Sequence, residues 1–239
     1  RISSYGLDPI EKKPFYHFYP GSWIFSAGTL GCNFRCQFCQ NWQIAQCTDV
    51  PTTSITPEGL VALARRYPKN IGIAYTYSEP MIWFEYVYDT AKLAREAGLK
   101  NVVVTNGFVR EEPLKLLLTY IDAMNIDVKG FTAEFYRGIT RGDLNPVLET
   151  VEKAAGECHV EVTTLLIPGL NDDDRDIKAL AEWLSGIDKQ IPLHFSRYFP
   201  NHKMDRPPTP IATLEKARRI AKQRLEYVYI GNVPGEDNS

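Results

Sequence analysis

The chain has 239 residues, of which 44% are hydrophobic and 23% are charged, a composition typical of a soluble globular protein. Its formal net charge of −2 argues against a nucleic-acid backbone as a partner. No apolar run approaches the ~18 residues of a membrane span, and we recognise no signal peptide or lipidation motif. We therefore expect one domain over residues 1–239 with no membrane association. Reduced cysteines would favour a cytoplasmic location. The start at Arg1 rather than Met leaves open that the chain is a fragment of a longer protein.

Residues 1–22 are aromatic- and proline-rich, and we expect them to form an irregular N-terminal strap on the body of the protein. Seven short segments follow that are apolar and rich in β-branched or aromatic residues, the pattern of buried parallel strands. They cover residues 23–28, 71–76, 101–105, 123–128, 159–167, 192–198 and 227–230.

Helical patterns alternate with these strands and carry the usual start signals. Thr56-Pro57 precedes the first of them, and apolar residues recur at helical spacing over residues 84–97. Pro113, Pro146 and Pro210 stand at the starts of later helices. Six β-then-α units in series predict an α/β fold, a partial (β/α)6 TIM-like barrel.

Polar residues lie at or near the ends of the predicted strands. In β/α barrels the loops at the carboxyl ends of the strands carry the chemistry, so we expect these residues to converge on one mouth. Singly, they have simpler explanations: Glu79 can cap a helix, and Asn106-Gly107 is a common turn. Their shared position predicts a site formed by Tyr77, Ser78, Glu79, Asn106, Asp127, Lys129, Thr163 and Arg197.

A cysteine loop directly follows the first of these seven predicted strands. Residues 31–42 read Gly-Cys-Asn-Phe-Arg-Cys-Gln-Phe-Cys-Gln-Asn-Trp and contain three of the five cysteines, Cys32, Cys36 and Cys39. Three thiolates on one loop can ligate three irons of a 4Fe-4S cluster, whereas proteins that only carry electrons usually supply four cysteines. The spacing therefore predicts a cluster with one iron open to a substrate or a cofactor.

Other interpretations of the cysteine loop are weaker. A structural zinc site needs a fourth ligand at short spacing, and neither Cys47 nor Cys158 lies in a second cysteine pair. A disulfide framework is typical of short, cysteine-rich chains, whereas this chain is long and has only five cysteines. Three unrelated buried cysteines would not account for the preceding glycine or the polar residues between them. Among iron–sulfur functions, a plain 4Fe-4S electron-transfer protein, whose cluster only carries electrons, stays as the alternative.

The cysteine spacing, with the aromatic Phe38 before the last cysteine, resembles the signature of the radical S-adenosylmethionine (SAM) enzymes. From about residue 20 to residue 234 the chain is similar to the radical SAM enzymes related to pyruvate formate-lyase activating enzyme. Within them it looks closest to the AmmeMemoRadiSam system group. The other matching motifs are Tyr-Ser-Glu-Pro at 77–80, Val-Thr-Asn-Gly-Phe at 104–108, Asn-Ile-Asp-Val-Lys at 125–129 and Ile-Pro-Gly-Leu-Asn-Asp at 167–172.

This resemblance implies an oxidoreductase with two cofactors, the 4Fe-4S cluster and SAM. The cluster, held by Cys32, Cys36 and Cys39, would reductively cleave SAM to a 5′-deoxyadenosyl radical that abstracts hydrogen from a substrate. The implied partners are an electron donor such as flavodoxin or ferredoxin and an unknown protein or small-molecule substrate.

The resemblance also assigns SAM contacts. Phe38 would lie against adenine, and the Tyr77, Ser78 and Glu79 stretch would meet the SAM amino group. Asn106 and Lys129 would approach the ribose or carboxylate, with Asp127 as a further cofactor contact, and Thr163 and Arg197 would lie along the SAM channel. Activating enzymes carry paired glycines where this chain has Tyr77 and Ser78, and side chains there change how closely the backbone can approach SAM.

Overall fold

The computed structural model describes residues 1–47 and 49–233, and its core is one eight-stranded sheet. Each of the seven strands predicted from the sequence is present, with each boundary within one residue of its predicted position. The strands are β1 Ser4–Pro9, β2 Trp23–Gly28, β3 Asn70–Tyr75, β4 Lys100–Thr105, β5 Ala123–Asp127, β6 His159–Leu166, β7 Leu193–Arg197 and β8 Val228–Gly231.

The strands follow one another in the sheet in chain order, from β1 to β8. Strands β2 to β8 are parallel to their neighbours, and β1 pairs antiparallel with β2, with Ser4 opposite Gly28 and Pro9 opposite Trp23. Six β-then-α units and a last strand thus form the expected partial barrel. The prediction that residues 1–22 are irregular is wrong for Ser4–Pro9, which pair along the edge of β2.

Helices connect successive strands and cover the outer face of the sheet. Two short helical segments belong to loops, α1 and α5, and the six longer helices link the parallel strands. Their bounds are α1 Trp42–Ala45, α2 Pro57–Ala64, α3 Phe84–Glu96, α4 Glu111–Leu118, α5 Ala133–Phe135, α6 Asn145–Ala155, α7 Asp174–Ile187 and α8 Ile211–Ala221. No helix in the described part of the chain is both long and apolar enough to cross a bilayer.

Local sequence explains where these helices begin. The Thr56 hydroxyl accepts a hydrogen bond from the Gly59 amide at 3.1 Å, and Pro57 occupies the first turn of α2. The Asp173 carboxylate caps α7 by accepting from the Arg175 amide at 2.8 Å. Each helix then buries an apolar stripe on the sheet, as α7 does with Ile177, Leu180, Ala181 and Leu184.

The amino-terminal end of the barrel is closed by residues 10–18. Ile10, Phe15 and Phe18 pack in a separate apolar cluster on inward-facing residues of β2 to β5, namely Ile24, Ala74, Val102 and Ala123. The side-chain amide of Asn125 donates to the Pro14 carbonyl at 2.8 Å. These residues therefore fill this end of the barrel.

The buried carboxylate of Glu161 fastens this segment to β6. Glu161 is fully buried and accepts from the backbone amides of Tyr16 at 3.0 Å and His17 at 2.8 Å. His194 Nε2 lies 2.7 Å and His159 Nε2 3.0 Å from its oxygens. Burial opposes the charge, but the two histidine hydrogen bonds outweigh it and lower the pKa of Glu161 to about 2.

Candidate functional site

A cavity of about 590 Å³ lies inside the arc of strands at their carboxyl ends. Eleven of the twelve residues predicted for the site line it: Cys32, Cys36, Phe38, Cys39, Tyr77, Ser78, Glu79, Asn106, Asp127, Lys129 and Thr163. They come from the cysteine loop and from the ends of β3 to β6. The convergence predicted from the sequence is therefore observed for these residues.

The cysteine loop is held from both sides by backbone hydrogen bonds. Arg35 and Gln37 donate to the carbonyls of Thr140 at 2.8 Å and Ile139 at 3.2 Å. The Arg35 guanidinium also donates to the carbonyls of Cys32 and, at 2.9 Å, Phe34. The loop is thus fixed with all three cysteine side chains on the cavity.

The chemistry of the three thiols suits a metal cluster. Burial raises the pKa of Cys32 to about 11 and that of Cys36 to about 12, and it also raises the pKa of Cys39. Metal binding here must therefore release the thiol protons. Among the described residues no three acidic, histidine or cysteine side chains are close enough to chelate a single ion. Ligands of separate irons in one cluster need no such closeness, and three thiols on one cavity are the donor set that a 4Fe-4S cluster with one open iron takes.

Glu79 connects the ends of β3 and β4 beneath the cavity. Its carboxylate accepts from the Thr105 hydroxyl at 2.6 Å, the Asn106 amide at 2.8 Å and the Met81 amide at 3.0 Å. Only 2% of Glu79 is exposed, and burial raises its pKa despite these hydrogen bonds. Glu79 does cap the short 3₁₀ helix Pro80–Trp83, and it also presents a buried carboxyl group to the cavity.

Asn106 joins this strand end to the cysteine loop. Its side-chain nitrogen donates to the Asn33 side-chain oxygen at 2.7 Å and lies 3.6 Å from Cys32 Sγ. Its side-chain oxygen accepts from the Phe108 amide at 2.8 Å, and Asn33 in turn donates to the Phe108 carbonyl. The turn interpretation of Asn106-Gly107 is also correct, since Gly107 has a φ of 72°.

Lys129 places a partly buried ammonium group on the cavity. Its Nζ donates to Asp127 Oδ2 at 3.0 Å, and its backbone amide donates to the Tyr136 hydroxyl at 3.0 Å. Burial disfavours the charged form of Lys129, but the negative charge of Asp127 outweighs it and raises the Lys129 pKa. Lys129 therefore keeps its positive charge on the cavity, next to the carboxylate of Asp127.

Tyr77 and Ser78 give the loop after β3 its form. Tyr77 has a φ of 69°, a left-handed conformation that tyrosine rarely adopts. Its hydroxyl donates to Asp8 Oδ2 at 2.7 Å, and its carbonyl accepts from Asn41 at 2.7 Å. Ser78 Oγ is buried and has no hydrogen-bond partner among the described residues. Because buried hydroxyls are nearly always paired, this group suits a ligand in the cavity.

Thr163 and Arg197 differ in position. The Thr163 hydroxyl donates to Asn125 Oδ1 at 2.9 Å on the inner face of the barrel. Arg197 is not among the residues that line the cavity. Its Nε donates to the Thr209 carbonyl at 2.8 Å, and its guanidinium lies 4.8 Å from the centre of the Phe199 ring. Of the predicted set, only Arg197 is not brought into the cavity.

Sequence reasoning missed the contribution of the N-terminal segment to this site. Asp8, Lys12, Lys13 and Pro14 line the wall of the cavity. Lys13 is 5% exposed, its Nζ lies 2.9 Å from Asp8 Oδ2, and it lies 4.4 Å from the centre of the Tyr77 ring. The sequence does show Asp8 and Lys13 at the edge of a proline-rich segment. However, Asp8 and Tyr77, which are hydrogen-bonded in the structure, are 69 positions apart in the chain, so the sequence does not reveal their contact.

Comparison with known proteins agrees with this geometry. Residues 27–184 match the profile of the Radical SAM superfamily. The chain is 47% identical to an uncharacterized protein of Methanocaldococcus jannaschii, over 99% of this chain and 72% of that protein. It is 24% identical to a pyruvate formate-lyase-activating enzyme of Listeria monocytogenes, over 66% of this chain and 67% of that enzyme.

Solved structures show the same fold. A radical SAM methyltransferase from Sphaerobacter thermophilus superposes with a TM-score of 0.68 at 18% identity, covering 90% of this chain and 67% of that one. At this identity the structural similarity is evidence for the fold alone. The profile match, which covers more than half of the chain, shows the family: this chain belongs to the radical SAM superfamily, whose members use a 4Fe-4S cluster and S-adenosylmethionine.

Proposed function

We propose that this protein reductively cleaves SAM and uses the resulting radical to remove a hydrogen atom from a substrate, in the manner of an activating enzyme. The observation that carries the proposal is the convergence of three cysteine thiols, the buried carboxyl group of Glu79 and the partly buried ammonium group of Lys129 on one cavity. When bound, the cluster supplies one electron and SAM supplies the radical. The proposal covers a single core domain over residues 1–239 and a cytoplasmic location.

In this proposal Cys32, Cys36 and Cys39 hold the cluster and leave one iron for the amino and carboxylate groups of SAM. Phe38 is 4% exposed and borders the cavity, as a residue packed against adenine would. The carboxyl group of Glu79 suits the positively charged methionine end of SAM. Lys129 suits its carboxylate, and Asn106, Asp127 and Thr163 offer hydrogen bonds to the ribose.

The chain's own residues prepare the site before any ligand enters. The strand ends fix Glu79 and Asn106 by hydrogen bonds, so their orientation costs little on binding. Residues 10–18 fill the other end of the barrel and exclude water from that side. The hydroxyl of Ser78 and the Asp8–Lys13 pair complete a polar wall suited to a polar ligand.

The experiment that tests this function is anaerobic. The cluster is reconstituted and reduced with dithionite, SAM is added, and 5′-deoxyadenosine and methionine are quantified by chromatography. We expect both products in equal amounts, and none when the cluster or the reductant is omitted. An intact reduced cluster that leaves SAM uncleaved would instead favour the electron-transfer alternative.

Replacing Glu79 by glutamine is expected to weaken SAM binding by about 10- to 100-fold, because the cavity loses its carboxyl group while the residue keeps its shape. SAM affinity is measured by equilibrium dialysis with the reconstituted protein. Glu85→Gln, on the outer helix α3, is the matched control and should bind SAM as the unmodified protein does. If the Glu79 variant bound SAM as tightly as the unmodified protein, Glu79 would not be a SAM contact.

Replacing Tyr77 by phenylalanine tests the contact with Asp8. The variant loses one hydrogen bond to a carboxylate, worth roughly 1.5–3 kcal/mol, but keeps the ring beside Lys13. We expect the KM for SAM in 5′-deoxyadenosine formation to rise about threefold to tenfold with a smaller change in kcat. A variant with the KM of the unmodified protein would show that the hydroxyl does not position the SAM-binding loop.

A further inference from the structure

The outer surface beside the cysteine loop is basic, although the protein as a whole is not. Residues 33–42, 133–143 and 199–206 contain five lysine or arginine residues and three acidic residues, whereas the whole chain has a net charge of −2. Arg137, Arg141 and Lys203 are exposed, and none of the three forms an ion pair with any described carboxylate. We call these three residues the basic rim.

The basic rim is attached directly to the cysteine loop. Lys203 lies on one side, where its amide donates to the Gln37 carbonyl at 3.0 Å. Arg137 and Arg141 lie on the other side, in and just after the π-helical turn Tyr136–Thr140, whose carbonyls bond Arg35 and Gln37. Three positive charges therefore flank the segment that carries Cys36 and Cys39.

The π-helical side packs too closely on the loop to be a loose surface segment. A Cβ atom at Gly142 would overlap the buried ring of Phe34, so this close approach requires glycine. Arg141, next to it, has a φ of 61°. π-Helical turns are rare and occur frequently at functional sites. The positions of Arg137 and Arg141 are thus set by the cysteine loop itself.

From this arrangement we propose that the basic rim is the docking surface for the electron donor, a small acidic one-electron carrier of the flavodoxin type. The inference rests on the proposed function, in which each SAM cleavage consumes one electron: the donor is oxidised by one electron as the cluster is reduced by one. Electron transfer slows steeply with distance, and the basic rim adjoins the loop that carries the three sulfurs. Charge complementarity at that rim speeds encounter and fixes orientation.

The test compares two charge-reversal variants with the same change in net charge. One is Arg137→Glu with Arg141→Glu. Its matched control is Arg219→Glu with Lys222→Glu, exposed residues at the end of α8, which leads into the opposite end of the barrel. None of these four residues lines the cavity. The probe is purified oxidised flavodoxin, and its Kd for the reconstituted proteins is measured at low and high salt.

We expect the rim variant to bind flavodoxin about tenfold more weakly at low salt and the α8 variant to bind within about twofold of the unmodified protein. With reduced flavodoxin, 5′-deoxyadenosine formation should fall in the rim variant alone, while dithionite should support equal rates in all three proteins. Lys203→Glu, on the other side of the loop, should lower flavodoxin affinity in the same direction and serves if the double variant loads its cluster poorly.

Equal losses of flavodoxin affinity in the rim and α8 variants would overturn the proposal, because the change in net charge alone would then explain the loss. Unchanged flavodoxin affinity in both the rim double variant and Lys203→Glu would also overturn it. A failure of the proposed function has a different signature: dithionite would then give no 5′-deoxyadenosine even in the unmodified protein, whatever the affinity for flavodoxin.

Discussion

Replacing Cys36 by alanine is expected to reduce 5′-deoxyadenosine formation by at least about 1,000-fold, a change of roughly 4 kcal/mol or more in the activation free energy. Cys36 is buried on the cavity between the other two cysteines of the loop. Two thiolates cannot hold three irons of a cluster, so the reconstituted variant should also contain less iron. Iron content, the visible absorption of the cluster and product formation are measured on the same preparation.

Cys158→Ala is the matched control. Cys158 is a free thiol like Cys36, although less buried, and it precedes β6 at the opposite end of the barrel from the cysteine loop. This variant should load iron and cleave SAM as the unmodified protein does. If Cys36→Ala kept a full cluster and its activity, the assignment of the cysteine loop as the cluster site would be wrong.

Replacing Glu161 by glutamine is expected to lower the free energy of unfolding by about 3 kcal/mol at pH 7. The pKa of Glu161 is lowered from 4.5 to about 2, and each pKa unit corresponds to about 1.4 kcal/mol. The carboxylate accepts four hydrogen bonds, from the amides of residues 16 and 17 and from two histidines. In the glutamine variant an NH₂ group replaces one carboxylate oxygen and cannot accept these hydrogen bonds. Urea unfolding of the metal-free chain measures the difference.

The sign of the pH dependence follows from the lowered pKa. The stability that Glu161 contributes is present above about pH 4.5 and is lost as the pH falls towards about 2. The difference between the unmodified protein and Glu161→Gln should therefore shrink over that window. Glu149→Gln, an exposed residue of α6, should change stability by less than about 0.5 kcal/mol. A Glu161→Gln chain as stable as the unmodified protein would refute the role of this carboxylate in fastening residues 10–18.

The parallel strands could be predicted because each is a short apolar run buried on both faces, as 101–105 and 123–128 are. Strand β1 could not, because Gly6, Asp8 and Pro9 are residues that strands usually disfavour. β1 forms because the folded chain places it at the edge of the sheet, beside β2. An edge strand needs a partner on one side only.

The candidate site divides in the same way. The cysteine loop is a local motif, and the fold places every polar strand end except Arg197 on the cavity. Arg197 lies at the end of β7, but its guanidinium bonds the Thr209 carbonyl instead, a contact that strand position alone cannot reveal. Asp8 and Lys13 reach the cavity through the pairing of β1 with β2, so their charges in the sequence could not by themselves place them there.

The measurement that tests the central claim most directly is electron–nuclear double resonance of the reduced cluster with SAM labelled with ¹⁵N at its amino group. If the three cysteines leave one iron for SAM, adding labelled SAM should change the resonance spectrum of the cluster and reveal a coupling to ¹⁵N. A spectrum that SAM leaves unchanged, with no ¹⁵N coupling, would contradict an open iron and make the protein an iron–sulfur electron carrier.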